Sequence, residues 1–137
     1  MKKYPPIASQ SLWILATVGF VGILFVILFF AYNGNLPAIL TQNDKLAHFV
    51  LYGTGAFLGH RSCNRRHVRL IGYGLPLFPL LFALFTLGEE LAQAFSPNRS
   101  LDALDLIASF IGIAIGSWLA QGKPKQPSKS GDNSIQK

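Results

Sequence analysis

Long uncharged segments alternate with short polar ones along the chain. The first, residues 12–32, runs for 21 residues without a charge, and a helix of that length spans about 30 Å, the thickness of a hydrocarbon core. Three further, largely apolar segments follow at residues 44–63, 70–95 and 101–120. This pattern predicts four membrane-spanning helices joined by short loops, with residues 1–10 in front of the first span.

The first apolar segment could also be a secretory signal peptide, because Lys2 and Lys3 precede it. A signal peptide has an apolar core of about 7–15 residues that ends in small residues at a cleavage site. The segment here is longer, and it ends in the bulky residues Phe29, Phe30 and Tyr32. We therefore predict an uncleaved first helix.

The second and third spans are less regular than the other two. Asn43 or Asp44 provides an N-cap for the second span, which contains His48 and is the weakest span by hydropathy. Pro76 and Pro79 lie inside the third span, where membrane helices tolerate proline if neighbouring groups satisfy the freed carbonyls. We predict that the third span is a kinked helix.

Composition supports a membrane protein with a single domain. Of the 137 residues, 50% are hydrophobic and 13% are charged, about half the charged fraction of an ordinary soluble domain. The single cysteine, Cys63, excludes an internal disulfide framework and any multi-cysteine metal site. We predict the lipid bilayer as a partner, no nucleic-acid partner, and a disordered tail over residues 121–137.

The basic residues predict the orientation of the four spans. Ten of the twelve Lys and Arg residues fall in the N-terminus, in the block at residues 60–69 and in the tail, and only Lys45 and Arg99 fall elsewhere. Cytoplasmic loops carry the excess of basic residues, and four spans place these three segments on one side. The sequence therefore predicts an all-α, integral membrane four-helix bundle over residues 11–120, with both termini in the cytoplasm.

Polar residues that are costly in a membrane converge at the opposite, outer face of this arrangement. Five of the six acidic residues lie there, and charged groups at membrane depth face a protein interior or a partner instead of lipid. By spacing, Glu89 pairs with Gln93 as well as Glu90 does, and the first span contributes no polar residue. The predicted binding cluster consists of Asp44, Lys45, His48, Tyr52, Glu90, Gln93, Arg99, Asp102 and Asp105.

Two glycine pairs have the spacing that lets membrane helices approach closely. Gly55 and Gly59 lie on the second span, and Gly112 and Gly116 lie on the fourth. Small residues four positions apart form such contacts in membrane proteins. The sequence therefore indicates candidate packing contacts at both pairs.

Two sequence blocks resemble the VanZ-like family of small membrane proteins, which is named after an accessory protein of teicoplanin resistance. The block DKLAHFVLYG at residues 44–53 and the block EELAQAFSPNRSLDALDLIASFIGIAIG at residues 89–116 carry the resemblance. The resemblance favours Glu90 over Glu89 as the member of the cluster. Ser109 stands at a position where the family often has Asn. The resemblance implies a protein of the bacterial inner or plasma membrane that is associated with the cell envelope and affects glycopeptide tolerance.

Two interpretations of the predicted cluster involve no chemical reaction. In the first, it is an internal ion-pair network in which Arg99 bridges Glu90 and Asp105, and His48 pairs with Asp44 or Gln93. In the second, Arg99 and Lys45 contact the phosphate or carboxylate of a lipid-linked envelope molecule. The protein would be an assembly subunit with a membrane-protein partner in the first case and a binding protein in the second.

A third interpretation is catalysis, with His48 as general base and Glu90 or Asp105 as acid. No motif frames Ser96 or Ser100 as a nucleophile, and a single histidine with carboxylates on three helices is not a zinc spacing signature. A proton path is a fourth interpretation. We predict no catalytic residue, no metal site and no cofactor.

Overall fold

The computed structural model describes residues 7–122, of which 74% are helical. This confirms the prediction of a mostly helical fold; residues 1–6 and the predicted tail after residue 122 lie outside the described range. The helices are α1 (Ile7–Tyr32), α2 (Ala38–Gln42), α3 (Asp44–Ser62), α4 (Leu77–Gln93) and α5 (Ala103–Gln121). The strands are β1 (His67–Leu70) and β2 (Tyr73–Pro76).

A β-hairpin takes the place of the first turns predicted for the third span. The two strands pair antiparallel, with Leu70 opposite Tyr73. The turn between them consists of Ile71 and Gly72, whose φ angles are 50° and 81°. Two consecutive positive φ angles are typical of the tight turns whose twist matches that of the flanking strands. The predicted helix over residues 70–95 is therefore wrong in its first part.

The two prolines explain why α4 begins at Leu77. Pro76 is the N-cap of α4, with φ and ψ angles of −66° and 123°, so it belongs to the extended chain. Pro79 is the third residue of the helix, where a backbone N–H has no intrahelical acceptor and its loss costs nothing. Neither proline interrupts a helical hydrogen bond, so the prolines set the start of α4 instead of kinking it.

The four long helices alternate in direction. At one end, the side-chain amide of Gln10, in the first turns of α1, donates a hydrogen bond to the carbonyl of Ser62, the last residue of α3. At the other end, the hydroxyl of Tyr32, the last residue of α1, donates to Glu89 near the end of α4. An ion pair joins the beginnings of α3 and α5 at this second end. The hairpin and the block of arginines lie at the first end, which we call the basic end.

The buried core draws one or more residues from each long helix. Leu24 of α1, Tyr52 and Ala56 of α3, Phe82 of α4 and Ile113 of α5 form a single hydrophobic cluster. Because α3 supplies two of the five and contacts all three other long helices, it is the central helix of the fold. The polar residues at its N-terminus are consequently surrounded by the other elements.

Glycines allow α3 and α5 to pack with their backbones in contact. A Cβ atom at Gly112 would overlap the carbonyl oxygen of Phe49, and one at Gly116 would overlap that of Gly53. Gly112 and Gly116 therefore make the close helix approach that their spacing predicts. This contact fixes the depth at which the first turns of α3 and α5 face each other.

The second glycine pair serves a different purpose. A Cβ atom at Gly59 would overlap the ring of Phe78, and one at Gly55 would lie 2.7 Å from the ring of Phe82 and 2.8 Å from that of Phe20. Gly55 and Gly59 thus make room for aromatic rings of α1 and α4 instead of another helix backbone. The prediction that both pairs mark close contacts is confirmed, but the partners differ in kind.

Two of the helices are long and apolar enough to cross a membrane. They are the part of α1 from Ser9 to Tyr32 and the whole of α5. Both carry large apolar side chains on the outside of the fold, such as Leu15, which is 69% exposed, and Trp118, which is 70% exposed. Exposed apolar surface of this extent is exceptional on a protein in water. The α4 helix has 17 residues and so spans about 25 Å, slightly less than a hydrocarbon core.

Candidate functional site

Polar side chains from four helices meet at the end of the fold opposite the basic end. We call this group the polar cluster. Within residues 7–122 it contains all nine residues predicted from the sequence, together with Tyr32, Glu89 and Ser109. Its members are Tyr32, Asp44, Lys45, His48, Tyr52, Glu89, Glu90, Gln93, Arg99, Asp102, Asp105 and Ser109.

Lys45 joins the beginning of α3 to the beginning of α5. Its Nζ lies 3.2 Å from Oδ2 of Asp102 and 3.2 Å from Oδ1 of Asp105. Asp102 also caps α5, because its side chain accepts a hydrogen bond from the backbone N–H of Leu104 at 2.8 Å. The Leu104 N–H and then the Lys45 ammonium group lower the pKa of Asp102, which precedes α5, below its usual value.

Glu90 links α4 to the start of α5. Its side chain is almost fully buried, and its Oε1 accepts a hydrogen bond from the backbone N–H of Asp102 at 2.8 Å. That N–H lies just before the first turn of α5, where no helix carbonyl is available to accept it. Glu90 therefore fixes the loop between α4 and α5 and does not contact Arg99 at ion-pair distance.

Glu89 receives more hydrogen bonds than Glu90, although the family resemblance favours Glu90. The hydroxyls of Tyr32 and Tyr52 donate to its two carboxylate oxygens at 3.3 Å each. The amide of Gln93 lies 2.8 Å from both of these oxygens. The spacing of Glu89 and Gln93, one helical turn apart, was the sequence signal for this contact.

The first helix does contribute to the cluster, contrary to the prediction that it supplies no polar residue. Besides its contact with Glu89, Tyr32 accepts a hydrogen bond at its backbone carbonyl from the side-chain amide of Asn98 at 2.9 Å. Tyr32 ends the apolar run that predicted the first span. A tyrosine at the end of a membrane helix is usually an interfacial anchor, so the position of Tyr32 in the sequence gives no signal of its contact with α4.

His48 lies between two aspartates and a serine. Its Nδ1 is 3.0 Å from Oγ of Ser109. Its Nε2 lies 3.7 Å from Oδ1 of Asp44 and 4.0 Å from Oδ2 of Asp105, and its ring stacks on that of Tyr52 with 5.6 Å between centroids. The predicted contact of His48 with Asp44 is present, and the alternative contact with Gln93 is absent from the described hydrogen bonds.

Arg99 makes no ion pair with any carboxylate in the part of the chain that the structure describes. Its Nε donates to Oε1 of Gln93 at 3.0 Å. The predicted bridge from Arg99 to Glu90 and Asp105 is therefore wrong, because Lys45 takes the place beside Asp105 and a backbone N–H satisfies Glu90. The terminal nitrogens of Arg99 are left for another partner.

An apolar cavity of about 310 Å³ opens beside Arg99. Its walls are aliphatic and aromatic side chains of α1, α3 and the segment around α2, including Phe20, Leu28, Leu40 and Leu51. Its polar end belongs to the polar cluster. The residues at that end are Asp44, His48, Tyr52, Glu89, Gln93 and Arg99.

A smaller, polar cavity of about 130 Å³ adjoins the first. It lies against Asp102, Asp105 and the turn residue Asn98. Asp44 and Arg99 line both cavities. The site thus combines an apolar compartment and a polar compartment, with one basic and one acidic side chain at their junction.

Ser109, the serine beside His48, is placed poorly for nucleophilic catalysis. Ser109 is fully buried, and its hydroxyl donates to the backbone carbonyl of Asp105 at 2.9 Å. A nucleophile must be reachable by substrate and hydrogen-bonded to its base through its own proton. Ser109 therefore supports the ring of His48 and is not an activated nucleophile.

The chain matches no protein-family model, no curated protein and no solved structure. The resemblance to the VanZ-like family accordingly stays a prediction that rests on the two blocks at residues 44–53 and 89–116. Eleven of the twelve polar-cluster residues come from these two blocks, and the remaining one is Tyr32.

Proposed function

We propose that this chain is a VanZ-like integral membrane protein of the bacterial cell envelope that binds a lipid-linked anion at its outer face. The hydrocarbon chain of the ligand would lie in the apolar cavity, and its phosphate or carboxylate would lie at Arg99. The proposal includes four membrane spans with cytoplasmic termini and involves no chemical reaction.

Two features beyond hydropathy support four spans instead of two. The four long helices alternate in direction, and α3 and α4 run between the same two ends of the fold as the two apolar helices α1 and α5. The arginines of residues 60–69 lie at one end and five carboxylates at the other. An excess of basic residues at one end is what orients a membrane protein with that end in the cytoplasm.

The observation that carries the binding proposal is a guanidinium group without an ion-pair partner among residues 7–122, at the polar end of an apolar cavity. Arg99 has an amide partner at one nitrogen and no carboxylate neighbour at ion-pair distance within residues 7–122. A planar guanidinium group binds phosphate or carboxylate through two parallel hydrogen bonds. Ligand sites typically combine apolar walls with a few polar groups that fix orientation, and the cavity beside Arg99 has this character.

A structural role in a membrane complex is the second candidate, and the contacts of Lys45 and Glu90 favour it. These two residues connect α3, α4 and the loop before α5, as residues that fix helix register would. Removing one member of a buried ion pair commonly destabilises a protein. A purely structural cluster, however, has no use for a free Arg99 or for the cavity beside it.

The binding proposal is tested with the purified full chain in detergent micelles. The probes are a polyprenyl phosphate and the matching polyprenol, which lacks the phosphate, and bound lipid is counted by native mass spectrometry. We expect the wild type to retain the phosphate form and release the polyprenol. Arg99→Gln should lose this preference, and Arg99→Lys should retain only part of it, because Lys cannot make the bidentate contact.

The matched control is Arg69→Gln, which removes the same charge from the hairpin at the basic end. It should bind the polyprenyl phosphate as the wild type does. Equal binding of phosphate and polyprenol by a folded wild type would contradict the proposal. Equal loss in Arg99→Gln and Arg69→Gln would show that net charge, and not the site, governs binding.

The effect on cells is tested by teicoplanin susceptibility. A sensitive host would express either the wild type or Glu90→Gln, with membrane levels of both proteins measured in the same cultures. We expect raised tolerance with the wild type and none with an equally abundant Glu90→Gln. No effect from a well-expressed wild type would remove antibiotic tolerance from the proposed function.

A further inference from the structure

The hydrogen bonds around His48 favour a proton on one of its two ring nitrogens. A serine hydroxyl has one hydrogen to donate, and the carbonyl of Asp105 lies 2.9 Å from Oγ of Ser109 as an acceptor for it. With the hydroxyl hydrogen assigned to that carbonyl, the contact of 3.0 Å between Ser109 Oγ and His48 Nδ1 uses the hydrogen of Nδ1. In the neutral imidazole this leaves Nε2 with a lone pair.

The lone pair of Nε2 is directed towards two carboxylates. Asp44 and Asp105 contribute oxygens at 3.7 Å and 4.0 Å from Nε2, and these ligand atoms all lie within 4.8 Å of one another. No hydrogen bond to Nε2 is present among the described residues, although His48 is only 9% exposed. Three electron-rich atoms thus lie close together beside the polar cavity. The side chains of His48 and Asp105 are largely buried and that of Asp44 is 36% exposed, and a positive charge between the three would stabilise them.

The neighbouring side chains do not supply enough positive charge. Five carboxylates belong to the polar cluster, and within residues 7–122 its basic members are Lys45 and Arg99. Lys45 contacts Asp105 through Oδ1, whereas the oxygen of Asp105 within 4.0 Å of His48 Nε2 is Oδ2. The Nε2 side of the group is left without a cationic side chain at ion-pair distance.

We propose that Asp44, His48 and Asp105 form a binding site for a divalent transition-metal cation such as Zn²⁺. The donor set is one imidazole nitrogen and two carboxylate oxygens, which suits Zn²⁺ better than Mg²⁺ or Ca²⁺. Two ligand atoms at about 2.0–2.2 Å from a tetrahedral ion lie about 3.4 Å apart, close to the separations at His48. Ser109 holds the histidine in the tautomer that a metal needs, as outer-shell partners do in metal sites.

In the sequence, His48 and carboxylates on three helices lack a zinc spacing signature, whereas the structure brings together ligands from two helices. Asp44 and His48 share a face of α3, but Asp105 reaches them only because Gly112 and Gly116 bring α5 against α3. The spacing of one histidine and two aspartates over 62 residues resembles no metal-binding motif. The prediction of no metal site rested on residue spacing, and spacing alone does not show that Asp105 lies beside Asp44 and His48.

The proposed cation site extends the proposed function. The role of the cation rests on that function, whereas the binding of the cation does not. Asp44 lines both cavities at their junction, beside Arg99. A divalent ion on Asp44 would add positive charge where the phosphate or carboxylate of a lipid-linked molecule is proposed to lie. It would also offset the repulsion between such an anion and the five carboxylates.

The test measures metal binding by the full chain in detergent micelles, without lipid. The protein is stripped with a chelator, dialysed against Zn²⁺, and its metal content is determined by elemental analysis. We expect one Zn²⁺ per chain for the wild type. Ser109→Ala should weaken binding about 10–100-fold, as expected for an outer-shell partner, and His48→Gln should weaken it further.

The matched control is His67→Gln, which removes an exposed histidine at the basic end and should bind Zn²⁺ as the wild type does. If a folded wild type binds no stoichiometric Zn²⁺, the proposal is overturned. Loss of binding in His67→Gln with retention in His48→Gln would also overturn it, because the metal would then lie at the basic end.

A second measurement needs no variant and therefore does not depend on His48→Gln folding. X-ray absorption of the Zn²⁺-loaded wild type should show one imidazole ligand, oxygen ligands and no sulfur. Two imidazoles or a sulfur ligand would overturn the proposal, because they indicate a site at the basic end with His60, His67 or Cys63.

Repeating the lipid-binding experiment with and without chelator separates the two proposals. Zn²⁺ binding without lipid binding would refute the proposed function and leave the metal site standing. If the chain binds no Zn²⁺ and chelator does not change its lipid binding, the metal site is refuted and the proposed function is not.

Discussion

Lys45 Nζ lies 3.2 Å from Oδ1 of Asp105, and the two side chains differ sharply in exposure, at 51% for the lysine and 5% for the aspartate. The ion pair connects the first turns of α3 and α5. A buried carboxylate without a cation is costly, so the half-exposed lysine neutralises an aspartate that the fold could not otherwise bury as a charged group.

We predict that Lys45→Gln lowers the thermal unfolding temperature of the protein in detergent, whereas Lys45→Arg retains most of the wild-type value. The glutamine leaves the carboxylate of Asp105 without its cation, and the arginine keeps a charge within reach. Static light scattering or circular dichroism during heating measures the unfolding temperatures of both variants. Equal unfolding temperatures for Lys45→Gln and the wild type would show that another group already neutralises Asp105.

Asp102 makes the stability of the fold depend on pH in the acidic range. Its pKa in the folded protein is below the ordinary value of 3.8, so its contribution to stability is fully present above pH 3.8. That contribution is lost as the pH falls through the lower, folded-state pKa. Asp102→Asn keeps an N-cap side chain but cannot be ionised, so its unfolding temperature should fall less steeply with acid than that of the wild type.

Measuring unfolding temperatures of both proteins downward from pH 3.8 checks this dependence. Ser100→Ala, in the same loop, is a control that should keep the wild-type slope. Parallel curves for Asp102→Asn and the wild type would mean that other carboxylates account for the acid sensitivity.

Gly116→Ala should destabilise the protein by about 1–3 kcal/mol, the usual cost of overpacking a tight contact. The added methyl group would overlap the carbonyl oxygen of Gly53, a backbone atom that can move only with the whole of α3. Chemical unfolding in detergent measures the change.

Gly19→Ala is the matched control, because a Cβ at Gly19 meets nothing within 4 Å. It should stabilise α1 by about 0.5–1 kcal/mol through the lower backbone entropy of alanine in the unfolded chain. A similar loss from both variants would show that the close contact between α3 and α5 is not specific to Gly116.

Much of the fold and the site could be predicted from the sequence because polarity changes sharply along this chain. The uncharged run at residues 12–32 predicts α1 to the residue at its C-terminal end, Tyr32. The turn-by-turn spacing of Asp44, His48 and Tyr52 and of Asp102 and Asp105 predicts which faces of α3 and α5 carry the polar cluster. Helical periodicity reports such faces directly.

The second strand of the hairpin could not be predicted, because its residues and those of the turn before it are as apolar as the residues of a membrane helix. The run that begins at Leu70 is uncharged through Gly88, and hydropathy does not distinguish a short strand from the start of a helix. The turn residue Ile71 gives no signal either, since a β-branched residue rarely adopts a positive φ angle. Only the position of Pro76 and Pro79 marked the true start of α4.

The contacts within the site were also beyond prediction, because they depend on which of several similar groups lie closest. The sequence predicted Arg99 as the partner of Asp105, whereas the tight approach of α3 to α5 places Lys45 beside Asp102 and Asp105. Arg99 is thereby left beside the apolar cavity. Differences of a few ångström decide which basic side chain pairs with a given carboxylate, and a sequence pattern does not contain such distances.

The cavity beside Arg99 carries the central claim, and a substitution that fills it tests the claim most directly. Ala47 lines this cavity, whereas Leu46, its neighbour on α3, is 60% exposed and lies outside the lining. Ala47→Trp adds bulk inside the cavity, and Leu46→Trp adds an indole ring on the outer surface of the same helix turn.

The measurement is retention of a polyprenyl phosphate by wild type, Ala47→Trp and Leu46→Trp in native mass spectrometry, with the unfolding temperature of each protein determined alongside. The account predicts that Ala47→Trp loses the lipid at an unchanged unfolding temperature, while Leu46→Trp binds it as the wild type does. Equal retention by all three folded proteins would contradict binding in the cavity.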